Sequence, residues 1–75
     1  MLTFETNKEK ELLEVHGDRE GLLNLARILT EMAEHIKSEH RHLMTKDWGG
    51  SELSNDKHGL DNSLCHHVKI IFWSK

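Results

Sequence analysis

Leu2 and Phe4 alternate with Thr3 and Glu5 at the start of the chain. After the polar run TNKEKE, Leu13 and Val15 alternate with Glu14 and His16. Two short alternating stretches joined by polar residues predict a β-hairpin. Gly17 then breaks the strand, Asp18 is a good N-cap, and Glu20 places negative charge in a first helical turn. Apolar residues recur at Leu22, Leu25, Ala26, Leu29, Met32, Ala33 and Ile36, which is the stripe of an amphipathic helix ending near Lys37. Asn24, Arg27, Glu31 and Glu34 take the opposite side, with Arg27 and Glu31 spaced to pair. EHRHLMTK reads as a third strand, DWGGSELSNDKHGLDNS as a loop, and LCHHVKIIFW as a closing strand. The order β-β-α-β-β predicts an α+β fold: a four-stranded antiparallel sheet with one helix packed on one face, forming a single small domain over residues 1–75.

Side chains alternate across a strand, so parity sorts the two faces of that sheet. Leu64, Val68, Ile70 and Phe72 share one face with His66, and Leu43, Leu13 and Val15 join it as the helix side. The other face then carries His16, His40, His42, Cys65 and His67, together with Leu12, Met44, Ile71 and Trp73. A single helix covers only one side, which leaves this mixed apolar and histidine face open. Exposed patches of that kind mark contact sites. The open face is expected to receive a docked protein partner or to stack on a second copy as a homodimer.

Composition narrows the function. A formal charge of −3, with ten basic residues scattered among thirteen acids, does not make the basic stripe a nucleic-acid binder needs. No apolar run is long enough to cross a bilayer and no hydrophobic leader opens the chain, so a cytoplasmic protein without a membrane partner is expected. The single cysteine, Cys65, excludes an internal disulfide. A chain of this size then relies on a metal, a partner or a well-made core, since a core alone supplies only about 3–5 kcal/mol.

Two chemical readings of the open face follow. His40 and His42 sit two apart on a strand and can aim at one ion, with Cys65 and His67 completing a tetrahedron, as zinc requires. The spacing lacks the Cys-x-x-Cys signature of structural zinc sites, and the favoured reading has no metal and no cofactor. Cys65 and His67, two apart, lie roughly 6.5–7 Å from each other along a strand, too far for an activated thiol, and no carboxylate stands by to orient the base. No enzyme activity is expected. DWGGSELS lacks the strand-loop-helix context and the lysine of a phosphate loop. Its glycines allow a reversal, and Trp48 there is a candidate binding anchor.

One further pattern runs through most of the chain. His16-Gly17-Asp18 closes a strand and Glu20-Gly21-Leu22 opens a leucine-rich helix. His40-Arg41-His42-Leu43, Trp48-Gly49-Gly50 and Leu53-Ser54 follow in that order. Over residues 11 to 73 this resembles the immunity protein 32 family of bacterial polymorphic-toxin systems. Two departures are the long loop Asn55–Asn62 and the Cys65-His66-His67 run in the closing strand. The resemblance implies a non-catalytic cytoplasmic protein that binds and neutralises a cognate protein toxin. On the open face and its flanking turn, His40, His42, Trp48, His67 and Trp73 are the expected contact residues.

Overall fold

The first strand, β1 (Leu2–Thr6), pairs antiparallel with β2 (Leu13–Gly17), Phe4 lying opposite Val15 and Glu5 opposite Glu14. The computed structural model describes all 75 residues, Met1–Lys75. The hairpin turn is held by Asn7, whose Oδ1 accepts from the amides of Glu11 and Leu12. Helix α1 (Arg19–Ala33) follows, and Asp18 caps it as expected, its Oδ1 accepting from the Gly21 amide at 2.8 Å. The Met1 ammonium also donates to that oxygen at 2.8 Å. Both interactions hold the Asp18 carboxyl below the usual aspartate value.

The single four-stranded sheet expected from the sequence is not what forms. Strand β3 (Glu39–Met44) is followed by the short β4 (Ser63–Leu64) and then β5 (His67–Phe72). They divide into two sheets, one ordered β2-β1-β4 and the other pairing β3 with β5. The closing stretch, read as one strand, breaks at Cys65-His66. Before the break, Leu64 lies opposite Glu5 and the Cys65 amide donates to the Phe4 carbonyl. After it, the His66 carbonyl accepts from the Thr45 amide, and β5 runs along β3 with Leu43 opposite Val68. The coarse class, α+β with one helix, stands.

The helix face also differs from expectation. Gly21, Ile28 and Met32 are the buried positions, with Leu25 partly buried on the same side. Leu22 and Leu29 are exposed, and Ile36 lies beyond the helix with 90% of its surface open. The cause is a close approach. A Cβ on Gly21 would sit 1.9 Å from the Met1 carbonyl oxygen, so only glycine lets this turn touch the start of β1. That contact turns the Gly21-Leu25-Ile28-Met32 line inward and moves the leucine-rich flank sideways. The core that results has six buried apolar residues: Leu2, Phe4, Ile28, Met32, Leu43 and Leu53. Val68, Ile70 and Phe72 pack against it, as parity predicts.

A second correction concerns the side of β1 and β2 away from the helix. The expectation left it open, but Thr3 and Glu5 are fully buried there. The segment His58–Asn62 folds over them. Glu5 Oε1 accepts from the Gly59 amide at 2.9 Å and from Asn62 Nδ2 at 3.0 Å. Its Oε2 accepts from the His58 amide at 2.9 Å and from the Thr3 hydroxyl at 2.6 Å. Burial alone would raise this carboxyl, but the four donors outweigh it and lower its pKa from 4.5 to about 2. His16 joins the same cluster through Glu14, 2.7 Å from its Nε2, and lies edge-on to His58, so it does not belong with His40, His42 and His67. On the helix side, Leu13 and Val15 do share a face with Phe4, but 57% and 45% of their surface remains open because β2 lies at the sheet edge.

Candidate partner-binding face

The outer face of the β3–β5 ribbon is built by simple alternation. Leu43 points inward, which sends His40, His42 and Met44 out; Val68 and Ile70 point inward, which sends His67, Lys69 and Ile71 out. Register sets His42 opposite Lys69, His40 opposite Ile71 and Met44 opposite His67. Diagonal neighbours then meet, and His42 Nδ1 lies 2.7 Å from His67 Nε2. The His40 ring stands edge-on to His42 with centroids 5.1 Å apart. Partial desolvation lowers the His42 pKa, and the nearby charges of His67, His40 and Lys69 push the same way. One ring of the His42–His67 pair must therefore be neutral to accept the hydrogen bond.

Trp48 reaches this face from the turn after β3. A short 3-10 turn, Lys46–Trp48, begins at Thr45, and the chain reverses at Gly49 with φ 88°. Gly50 then passes so close to β3 that a Cβ would lie 2.2 Å from the Met44 carbonyl oxygen. The reversal is clamped by Glu52, whose Oε1 accepts from the Met44 amide at 3.1 Å. That bond to the Met44 amide is the main reason its carboxyl titrates below the usual glutamate value. The Trp48 ring stacks on His66, centroids 5.6 Å apart and planes 10° from parallel, while 58% of the residue stays open. His66 is itself fixed by Thr45, whose hydroxyl lies 2.8 Å from Nδ1.

The expected residues are thus partly assembled. His40, His42, His67 and Trp48 form one continuous patch. Trp73, 67% open, lies past the far end of β5, roughly 20 Å of strand from His67. Cys65 is the correction. The break before β5 reverses its parity, so it packs on the core, and its thiol donates to the His67 carbonyl at 3.2 Å. The proposed quartet His40, His42, Cys65 and His67 therefore does not converge. No three histidine, cysteine, aspartate or glutamate side chains come together at metal-binding distance. The thiol faces a carbonyl, and no cysteine–imidazole pair is formed. Thr45 and His66 escaped the sequence reading, because parity placed His66 against the helix and gave Thr45 no role.

A small α+β chain with an open histidine and tryptophan face fits a binding protein. The family comparison is specific: the immunity protein 32 family matches residues 13–71, so this chain belongs to that family. No curated protein and no solved structure matches it. Immunity proteins are in general not catalysts, and no helix here is long and apolar enough to cross a membrane.

Proposed function

We propose that the chain neutralises a cognate protein toxin in the bacterial cytoplasm by stoichiometric binding, without catalysis, and that the β3–β5 face is its contact surface. The carrying observation is the composition of that face. Trp48 and Ile71 remain more than half open beside three histidines, and Trp73 is open past the end of β5. Tryptophan is enriched among residues that dominate binding energy, and a rigid strand pair holds these side chains in place before any partner arrives. His40, His42, Trp48 and His67 form the centre of the contact, with Trp73 at its rim. The His66 ring supports Trp48 from behind.

The reading is tested by titrating the chain against candidate toxins of polymorphic-toxin systems, with calorimetry and rescue of growth as readouts. Truncating a central anchor at an interface costs about 2–4 kcal/mol, so Trp48→Ala is expected to weaken binding by roughly 30-fold to 1,000-fold. Trp73→Ala, at the rim, is expected to lose less. Unchanged affinity in a folded His42→Ala/Trp48→Ala double variant would remove this face from the proposal.

A further inference from the structure

We infer that β2 is a self-association edge, and that two copies of this chain join by antiparallel β2–β2 pairing about a two-fold axis through Val15, independently of the β3–β5 face. The backbone pattern selects the edge. The Asn7 amide bonds to the Leu12 carbonyl and the Asp18 amide to the Met1 carbonyl. Bonded pairs alternate along an antiparallel ladder, so Glu14 and His16 turn their amides and carbonyls towards β1. Leu13, Val15 and Gly17 turn theirs outward, where no partner exists within the chain.

The side chains select the occupant. Setting Val15 opposite the second copy's Val15 places Leu13 opposite Gly17, and Glu14 opposite His16, on both sides of the axis. All of the outward amides and carbonyls then pair in the bonded geometry. On the helix face, Val15 meets itself, and each Leu13 comes over the partner's Gly17, beside the exposed Leu22 that already lies against it. Leu29, seven residues further along the same helix flank, extends this open apolar strip.

On the other face the charges complement each other. His16 Nε2 and Glu14 Oε1 bond within one chain, leaving His16 Nδ1 and Glu14 Oε2 without a hydrogen-bond partner. The register sets each His16 imidazole opposite the second copy's Glu14 carboxylate, so a basic ring faces an acid on both sides of the axis. An unrelated strand would have to supply this same alternation, whereas a second copy supplies it by symmetry.

The edge also lacks the usual protection. Natural edges are blunted by lysine, proline or brevity. Strand β4 has only two residues, β5 carries Lys69, and β3 carries Glu39 and Arg41. β2 has neither lysine nor proline, and its one carboxylate, Glu14, is held within the chain by His16 and Asn62.

The test is sedimentation equilibrium with amide hydrogen exchange over a range of concentrations. The expected result is a mass that doubles from 8.7 kDa as concentration rises. The amides of Leu13, Val15 and Gly17 should become protected over the same range, while those of β5 do not. Val15→Pro removes an outward amide without breaking an internal bond, and Val15→Lys places charge on the axis. Both are expected to abolish the dimer and keep the far-ultraviolet circular dichroism, whereas Ile71→Ser is expected to keep the dimer. A chain that stays monomeric at every concentration would overturn the inference. So would a dimer whose three β2 amides exchange as in the monomer, or one lost on Ile71→Ser alone. The exchange measurement uses the wild-type protein, so it decides even if a variant fails to fold.

Discussion

Replacing Glu5 with glutamine changes one atom of a side chain and should remove a large part of the protein's stability. Each carboxylate oxygen accepts two bonds, Oε1 from Gly59 and Asn62 and Oε2 from Thr3 and His58. In either orientation of the amide, its NH2 faces a backbone N–H that has lost its acceptor. A buried group left unsatisfied in this way costs about 1–3 kcal/mol, and more where the lost bond was to a charged group. The titration of Glu5 gives a second route to the magnitude. Its pKa falls from 4.5 to about 2 on folding, and at about 1.4 kcal/mol per pH unit the charged form contributes on the order of 3 kcal/mol at neutral pH.

The sign follows from the direction of that change. The folded value is depressed, so the stabilisation is full above pH 4.5 and is lost as pH falls towards about 2. Urea unfolding of wild type and Glu5→Gln, followed by circular dichroism, should therefore differ by about 3 kcal/mol at pH 7, a fall in Tm of roughly 12–24 °C for a domain this small. The gap should narrow steadily below pH 4.5. Other carboxylates titrate in both proteins and cancel in the difference. A variant within about 0.5 kcal/mol of wild type at pH 7, the range of ordinary surface changes, would refute the claim that this carboxylate ties down the His58–Asn62 segment.

Three smaller predictions concern the cap, the helix contact and the histidine pair. Asp18→Ala should cost about 1 kcal/mol, read from the urea midpoint, because the Gly21 amide and the Met1 ammonium both lose their acceptor. Gly21→Ala should destabilise by about 1–3 kcal/mol through overpacking against the Met1 carbonyl. In an unobstructed helix interior the same change stabilises by up to about 1 kcal/mol, so a gain in Tm would show that the approach to β1 is loose. The His42 imidazole should titrate below 6.5 in an NMR pH series, and His67→Ala should move its midpoint upward. The depressed value means that His42 favours the fold above pH 6.5 and that this contribution fades as pH falls through its folded pKa; an unmoved midpoint would separate the two rings.

Much of the fold was legible where it is local. The hairpin, the Asp18 cap, the inward Leu43 and the inward Val68-Ile70-Phe72 line all follow from alternation or capping chemistry within a few residues. What failed was long-range. The break at Cys65-His66 has no glycine or proline to mark it; it arises because β1 takes the amide of Cys65 while Thr45 takes the carbonyl of His66. Cys65 was therefore assigned the wrong face. The helix stripe was misjudged because Leu22 and Leu29 are as apolar as Ile28, and the choice between them depends on one backbone contact between Gly21 and Met1. The burial of Glu5 left little trace in residue types, since two of its four donors are backbone amides. Alternation alone is enough to place His40, His42 and His67 on one face of the β3–β5 ribbon. It fails at His66, whose place depends on the break.

The two open surfaces follow from how little apolar material this chain buries. Six core residues hold it, and it has no disulfide to assist them. The Glu5 cluster compensates by fixing the long loop with charge-assisted bonds where a larger domain would use a second apolar layer. Leucines along the β2 and α1 flank, and tryptophans on the β3–β5 side, are consequently left facing solvent. A partner that buries either surface binds only the folded chain, and so stabilises it by about 2.7 kcal/mol at a hundred times its Kd. That is close to the contribution of Glu5. The chain thus gains nearly as much from an occupied surface as from the Glu5 cluster, so the melting temperatures of variants at each surface should report which one is filled. Stabilisation by a second copy should disappear in Val15→Lys, and stabilisation by a toxin should fall below about 1 kcal/mol in Trp48→Ala at the same toxin concentration.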